Sequence, residues 1–289
     1  MRLLIGVVHF WEAGDGRHGS LSPDPSPRVR ALRQLILQLH RLFGSAAASL
    51  NHMARRIDLI DDQAGSIDIR LCVVHDRHVL PDLGDLEGLF DVEICSPESP
   101  RLLGFCCQAM LRDVSAQAAA SGQPYDFVGY LEDDIIIYDP DFFLKLSAFS
   151  RAFGNHYLLM PNRIETMSAS GQLSRFYIDG DYNPEASKSY RSSAEHKLCM
   201  NHLGQIVCFD QPLNLHSGCF FLNQSQALEY FSNPEACSMD ISFHGPLESA
   251  ATLGVLKAFE LMKPALSNGR FLTVEHAGCN FMGLVPPLS

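Results

Sequence analysis

Long apolar runs are missing from this sequence. None approaches the length that spans a bilayer, so a membrane anchor is not expected. Positive charge is scarce as well: lysine and arginine number 22 against 33 acidic residues, a net charge of -11. That balance argues against a broad nucleic-acid surface and leaves room only for a local basic pocket. No C-x-x-C pair occurs among the 9 cysteines, which removes the usual spacing of a structural zinc site. The odd count fits reduced thiols, with Cys72, Cys95, Cys208 and Cys219 in apolar, core-like runs and Cys106 and Cys107 in a helical pattern. Gly14, Gly16 and Gly19 have G-x-G-x-x-G spacing, but they lie in a polar loop rich in Gly, Pro, Ser and Asp and do not open a helix, so a dinucleotide site is not expected. The opening MRLLIGVVHFW is too short in its apolar part for a signal peptide and has no small-residue cleavage site. It reads as a first strand, and cytoplasmic residence is the expectation.

What is present is an ordinary globular composition, 46% hydrophobic and 19% charged over 289 residues, enough for one large α/β domain. The most informative stretch is Tyr125 to Tyr138, YDFVGYLEDDIIIY. An apolar strand, Phe127 to Leu131, runs into Glu132, Asp133 and Asp134 and continues as Ile135 to Ile137. Three like charges in a dry segment are costly unless a cation or hydrogen-bond donors offset them. They stand at the carboxyl end of a strand, where open α/β sheets place ligands. Carboxylate oxygens there suit Mg²⁺ or Mn²⁺ with phosphates completing the shell; the other reading is a turn with solvated acids.

Around this stretch the elements alternate. A strand over Arg2 to Phe10 leads into a polar loop, residues 11 to 27, long enough to cover a nucleotide or an acceptor. Val29, Leu32, Leu35, Ile36, Leu39, Leu42 and Phe43 then mark one face of a helix. A strand over Ile67 to His75 ends in Asp76-Arg77-His78; another covers Phe90 to Cys95, and a helix begins at Ser99-Pro100 with Arg101 in its first turn. The order β-α-β-β-α-β suggests a largely parallel sheet. Asp139 and Asp141 are expected to cap the helix FFLKLSAFSRAF. A strand over His156 to Met160 leads to Arg163 and Glu165, read either as cleft residues or as a surface ion pair. From Thr166 to Leu203 the pattern is polar and irregular. Asp179 and Asp181 there rank second as a metal pair, because Gly180 and the following Asn-Pro favour a turn. Strands over Gln205 to Phe209 and His216 to Leu222, a helix over residues 224 to 232, an apolar helix opening at Gly245-Pro246 with Glu248 in its first turn, and a strand over Arg270 to Glu275 ending at His276 complete the chain.

YLEDDIIIYDPDFF resembles the Asp-x-Asp region of GT-A glycosyltransferases, with Glu132 in the first acidic place. The resemblance implies an α/β fold, a GT-A-like, Rossmann-related mixed and largely parallel sheet flanked by helices. One catalytic domain would cover 1–289, with 1–138 as the nucleotide-sugar-binding half and 139–289 as the acceptor-binding half. The implied activity is transfer of a sugar from a nucleotide-diphosphate donor to a hydroxyl of a carbohydrate or other acceptor, with a divalent metal. Glu132, Asp134 and His276 would hold the metal, Mn²⁺ rather than Mg²⁺ if the imidazole is a ligand. Asp76, Arg101 and Asp133 would contact the donor, and His216, Ser217 and Gly218 would border the acceptor. Glu248 falls where inverting members of the family carry their catalytic base. The family's Glu-Asp pair is here Glu248-Ser249, so inverting and retaining courses both stay open. Three alternatives stand beside this reading. One is a metal-dependent nucleotidyltransferase, for which GDGRHG at residues 14 to 19 is a loose match to a glycine-rich basic loop. Another is a phosphohydrolase built from Asp76, His78, the acids at 132 to 134 and His276. The last is a non-catalytic carbohydrate-binding protein of the same fold. Oligomeric state is open.

Overall fold

The computed structural model describes residues 1–16, 19–61, 65–169, 172–180, 188, 197–278 and 281. At its centre β1 (Arg2–Val8) is buried from Leu3 to Val8, the continuous apolar run expected of a parallel strand covered on both faces. It lies between β4 (Ser66–Val74) and β6 (Phe127–Glu132), parallel to both, and β5 (Asp91–Cys95) extends the sheet beyond β4. β13 (Cys219–Asn223) pairs antiparallel with β6, giving the order β13-β6-β1-β4-β5. The fold is thus mixed α/β with a mostly parallel sheet.

Side chains alternate across this sheet and build two cores. Leu3, Ile5 and Val7 point to α1 (Ser26–Phe43) and α3 (Phe142–Phe153), where Leu32, Leu35, Ile36, Phe142 and Phe143 meet them. Leu4 and Val8 point the other way, to α2 (Leu103–Ala120) and the helix that begins at Pro246. That helix follows α4 (Gln224–Ser232) and is called α5. It opens over Pro246–Glu248, is wound as a π-helix over Ser249–Leu253, and closes as an α-helix over Gly254–Ala258. The backbone stays right-handed through all three pieces, so the π-wound turn is a bulge inside one helix.

Beyond the acids the chain departs from its expected course. Ile135–Ile137 does not prolong β6; the chain turns at Asp133 and Asp134, and β7 (Ile135–Ile136) pairs antiparallel with β15 (Thr273–His276) in a second sheet. That sheet also holds β9 (Asn162–Ala169) and β10 (Gln172–Tyr177). The isoleucines are drawn there because the core beside α1 and α3 accepts them fully buried. A third sheet joins β8 (Tyr157–Leu159), β11 (Lys197–His202), β12 (Gln205–Asp210) and β14 (Glu260–Pro264).

Two local expectations are corrected. Cys199 and Cys208 stand directly opposite in the β11–β12 hairpin and form a disulfide, so Cys208 is a cross-strand link and the thiols are not all reduced. Asp139 does not cap α3 with its side chain; it accepts from the Asp141 N–H at 2.9 Å and pairs with Lys145 at 2.6 Å. An unanticipated hairpin, β2 (Ala46–Asn51) and β3 (Arg56–Asp61), forms between α1 and β4. No described helix is long and apolar enough to cross a membrane.

Candidate active site

The chain steps from β1 to β4 to β5 on one side and then returns to place β6 on the other side of β1. The switch point therefore falls between the carboxyl ends of β1 and β6, where a crevice opens in such sheets. Register sets Val8 beside Glu132, so His9 from β1 and the acidic turn after β6 meet at that point.

His9 is fully buried and accepts the Val79 N–H at Nε2, 3.1 Å, which leaves the proton on Nδ1 to be donated to Asp133 Oδ2 at 2.6 Å. Arg28, in the first turn of α1, donates through Nη1 to Asp133 Oδ1 and, at 3.2 Å, to Asp134 Oδ2. Burial acts to raise Asp133, but the Arg28 charge and the His9 hydrogen bond outweigh it and hold the carboxyl below its ordinary value. Asp133 is therefore saturated by protein groups. Asp134 is different: its Oδ1 is buried without any hydrogen-bond partner among the described residues. His276 Nε2 lies 3.6 Å from the other Asp134 oxygen, while His276 Nδ1 is held at 3.0 Å by Glu165, itself wholly buried. A carboxylate that fixes one ring nitrogen leaves the other aimed at the neighbouring acid, the usual arrangement behind a metal-binding imidazole.

Glu132 forms the next wall. Burial, and after it the Asp134 charge, push its carboxyl up to about 8, although the side chain keeps 24% of its surface open. The Glu248 charge, in the first turn of α5, adds a smaller push in the same direction. Gly218 sits at φ 65°, and a Cβ there would come within 2.9 Å of Glu132 Oε2; the glycine makes room for this carboxylate. His216 approaches Glu132 at 3.8 Å through Nε2 and is fixed through Nδ1 by Thr252, 2.9 Å away in the π-wound turn. Burial pushes His216 well below the ordinary histidine range, so it is a neutral ring.

Behind these residues lies a fully paired network. Arg163 donates to Asp179 Oδ1 at 2.8 Å, and Lys263 donates to Asp179 Oδ2 at 2.7 Å and to the His216 carbonyl at 2.9 Å. Burial would raise Asp179, but Lys263 and Arg163 overcome it and hold the acid low. Arg163 and Glu165 are thus neither a mutual pair nor on the surface. Asp179 is committed to cations of the protein, and Asp181 lies outside the described residues.

Glu132, Asp134, His276, His216 and Gly218 lie around the acidic turn, and Glu248 acts on Glu132 through its charge. Ser217 does not reach it: its hydroxyl is buried and donates to the Pro161 carbonyl at 3.0 Å. Asp76 is exposed past the end of β4, on the same edge of the sheet as His9. Arg101 is exposed in the turn before α2, and that turn packs against Pro246–Glu248, the segment that carries Glu248.

No family model matches the chain. No curated protein matches it either. Among solved structures, a CMP:2-keto-3-deoxy-manno-octonic acid synthetase complexed with CTP is similar at 13% identity and a TM-score of 0.40, covering 96% of this chain and 91% of that one. A 4-diphosphocytidyl-2C-methyl-D-erythritol synthase gives 10% identity and 0.36, over 93% and 91%. S. aureus TarS 1-349 in complex with UDP-GlcNAc gives 8% and 0.39, over 99% of this chain and 62% of that one. Likeness at these scores carries no function across.

Among the described residues no three His, Cys, Asp or Glu groups converge closely enough to hold a metal unaided. Mg²⁺ and comparable hard ions do not need such a cage: one or two carboxylates, water and substrate phosphates commonly suffice. The unpartnered Asp134 oxygen beside an oriented imidazole fits that pattern, and Mn²⁺ accepts the nitrogen. His9, Arg28 and Lys263 went unread in the sequence. The signal for His9 is the one that marks Glu132, a polar residue closing an apolar parallel strand.

Proposed function

We propose that this chain is a metal-dependent glycosyltransferase that moves a sugar from a nucleotide-diphosphate donor to an acceptor hydroxyl, by an inverting course. What supports the reading is the buried, unpartnered Asp134 oxygen at the switch point of a parallel sheet, next to an imidazole held by Glu165. Asp134 and His276 would hold Mn²⁺ or Mg²⁺, with Glu132 joining once a cation offsets the burial and the Asp134 charge that keep its proton on. Bound there, the ion would neutralise charge on the departing diphosphate. Asp133, tied to His9 and Arg28, fixes the turn that presents Asp134. Glu248, whose charge reaches Glu132, takes the proton of the acceptor hydroxyl as its oxygen bonds to the anomeric carbon and the bond from that carbon to the phosphate oxygen breaks. Neutral His216, fixed by Thr252, lines the acceptor side.

The test is a thermal-shift and calorimetric screen of UDP, GDP, CMP and dTDP, each with Mn²⁺ and with EDTA. Stabilisation by one nucleotide only when the metal is present is the expected result. A response to none, or one indifferent to EDTA, overturns the reading. A second reading, nucleotidyl transfer, is favoured by the position of Arg28, which follows the long loop after β1 and lies on the acidic turn. CTP or UTP stabilising the protein more than any diphosphate would select it.

A further inference from the structure

Arg28 is a cation already seated on Asp133 and on Asp134, the acid that the proposed reading assigns to the metal. We infer that Arg28 is a diphosphate-binding residue that holds the acidic turn in the absence of ligand, opposes a metal ion arriving alone, and thereby couples metal binding to diphosphate binding. The inference rests on the metal–diphosphate reading of the crevice.

The geometry has three parts. Both carboxylates are engaged by a single nitrogen, Nη1; among the described residues Nε and Nη2 donate no hydrogen bond, so most of the guanidinium fork is unspent. Nη2 lies on the side of the polar loop after β1, 3.2 Å from the point where a Cβ on Gly19 would sit. The two anchors also differ. Asp133 keeps His9 as a second donor, whereas among the described residues Asp134 has only the 3.2 Å contact from Arg28 and the more distant His276, with one oxygen unpartnered.

Electrostatics then sets a sequence of preferences. A divalent ion at Asp134 adds positive charge beside a guanidinium that is 15% exposed, and like charges that close are poorly screened. A diphosphate brings negative charge to both cations and matches the planar fork of arginine, which binds phosphate through two parallel N–H bonds. Metal alone is resisted, and metal with diphosphate is accepted. Arg28 can turn its free edge to the phosphate and stay anchored on Asp133, because His9 holds that carboxylate in place.

The experiment measures Mn²⁺ affinity by electron paramagnetic resonance and calorimetry, without and with UDP, for the wild type, Arg28→Met and Arg28→Lys. Arg28→Met should bind Mn²⁺ alone about tenfold more tightly than wild type, and the enhancement of Mn²⁺ binding by UDP should shrink by about the same factor. Arg28→Lys keeps the charge and should resist Mn²⁺ alone as the wild type does. Wild type with metal-dependent UDP binding, but Arg28→Met with unchanged Mn²⁺ affinity and unchanged enhancement, overturns the inference and leaves the reading of the site standing. Loss of Mn²⁺ binding in Arg28→Met, with or without UDP, assigns Arg28 a purely structural role and also overturns it. Wild type without any metal-dependent UDP response removes the underlying reading instead.

Discussion

Two groups of buried charge lie a few residues apart in space and are built on opposite lines. Around Asp179 one carboxylate meets two cations, Arg163 and Lys263; both of its oxygens accept hydrogen bonds, and all three side chains are no more than 6% exposed. Around Asp134 three carboxylates crowd one turn, a single arginine serves two of them, and one oxygen has no partner among the described residues. Both sit in the same low-dielectric interior, so the difference is in completeness. The Asp179 network has its counter-charge in the chain and behaves as structure. The Asp134 turn lacks part of its counter-charge, and a ligand is what would supply it.

Glu248→Gln tests whether the incomplete side is a working site: transfer should fall by roughly 10²- to 10⁴-fold with Mn²⁺ and UDP binding retained, measured by steady-state kinetics and calorimetry. Transfer near wild type removes Glu248 as base. Asp179→Asn should destabilise the fold by about 3–5 kcal/mol in denaturant titration, because it leaves Arg163 and Lys263 buried without their acid. Asp134→Asn should do the reverse, raising the stability of the ligand-free protein by roughly 1 kcal/mol while abolishing metal-dependent nucleotide stabilisation. If the two asparagine variants cost the same stability, the two groups of charge do not differ in completeness. The smallest effect is on the acid side. Asp179 is held below its ordinary 3.8, so its contribution is complete above that pH and is lost as the pH falls through the lower folded value. Wild type should therefore lose stability below pH 3.8 more steeply than Asp179→Asn, which lacks this titration, in melts recorded at decreasing pH.

Much of the scaffold was legible because period and punctuation carry it. The apolar runs of β1, β4 and β6, the helical face from Val29 to Phe43, and the β-α-β-β-α-β order all came from pattern alone. His276 and Glu248 were set beside Glu132 by the resemblance of the acidic stretch, not by pattern; of the two, His276 lies next to the acidic turn, 3.6 Å from Asp134. What pattern does not carry is which strand lies beside which. His9 and Asp133 are 124 residues apart in sequence, Lys263 and Asp179 are 84 apart, and only the folded topology joins them. Ile135–Ile137 misled because a buried run looks the same whether it continues a sheet or crosses into the next. Cys208 misled for a similar reason: an apolar strand residue and a half-cystine have the same neighbours in sequence until Cys199 is known to face it.

The π-wound turn of α5 has a consequence for descent. Such a turn holds one residue more than an α-helix of the same reach, so within Ser249–Leu253 a deletion is a milder event for the backbone than a substitution by proline. Losing that residue would restore α-winding and swing Thr252 by about 100° about the helix axis relative to Glu248, away from His216. Homologues of this chain would then carry their divergence here as a gap, and those lacking the extra residue would keep the sheet, the acids and the helix while losing the fixed histidine.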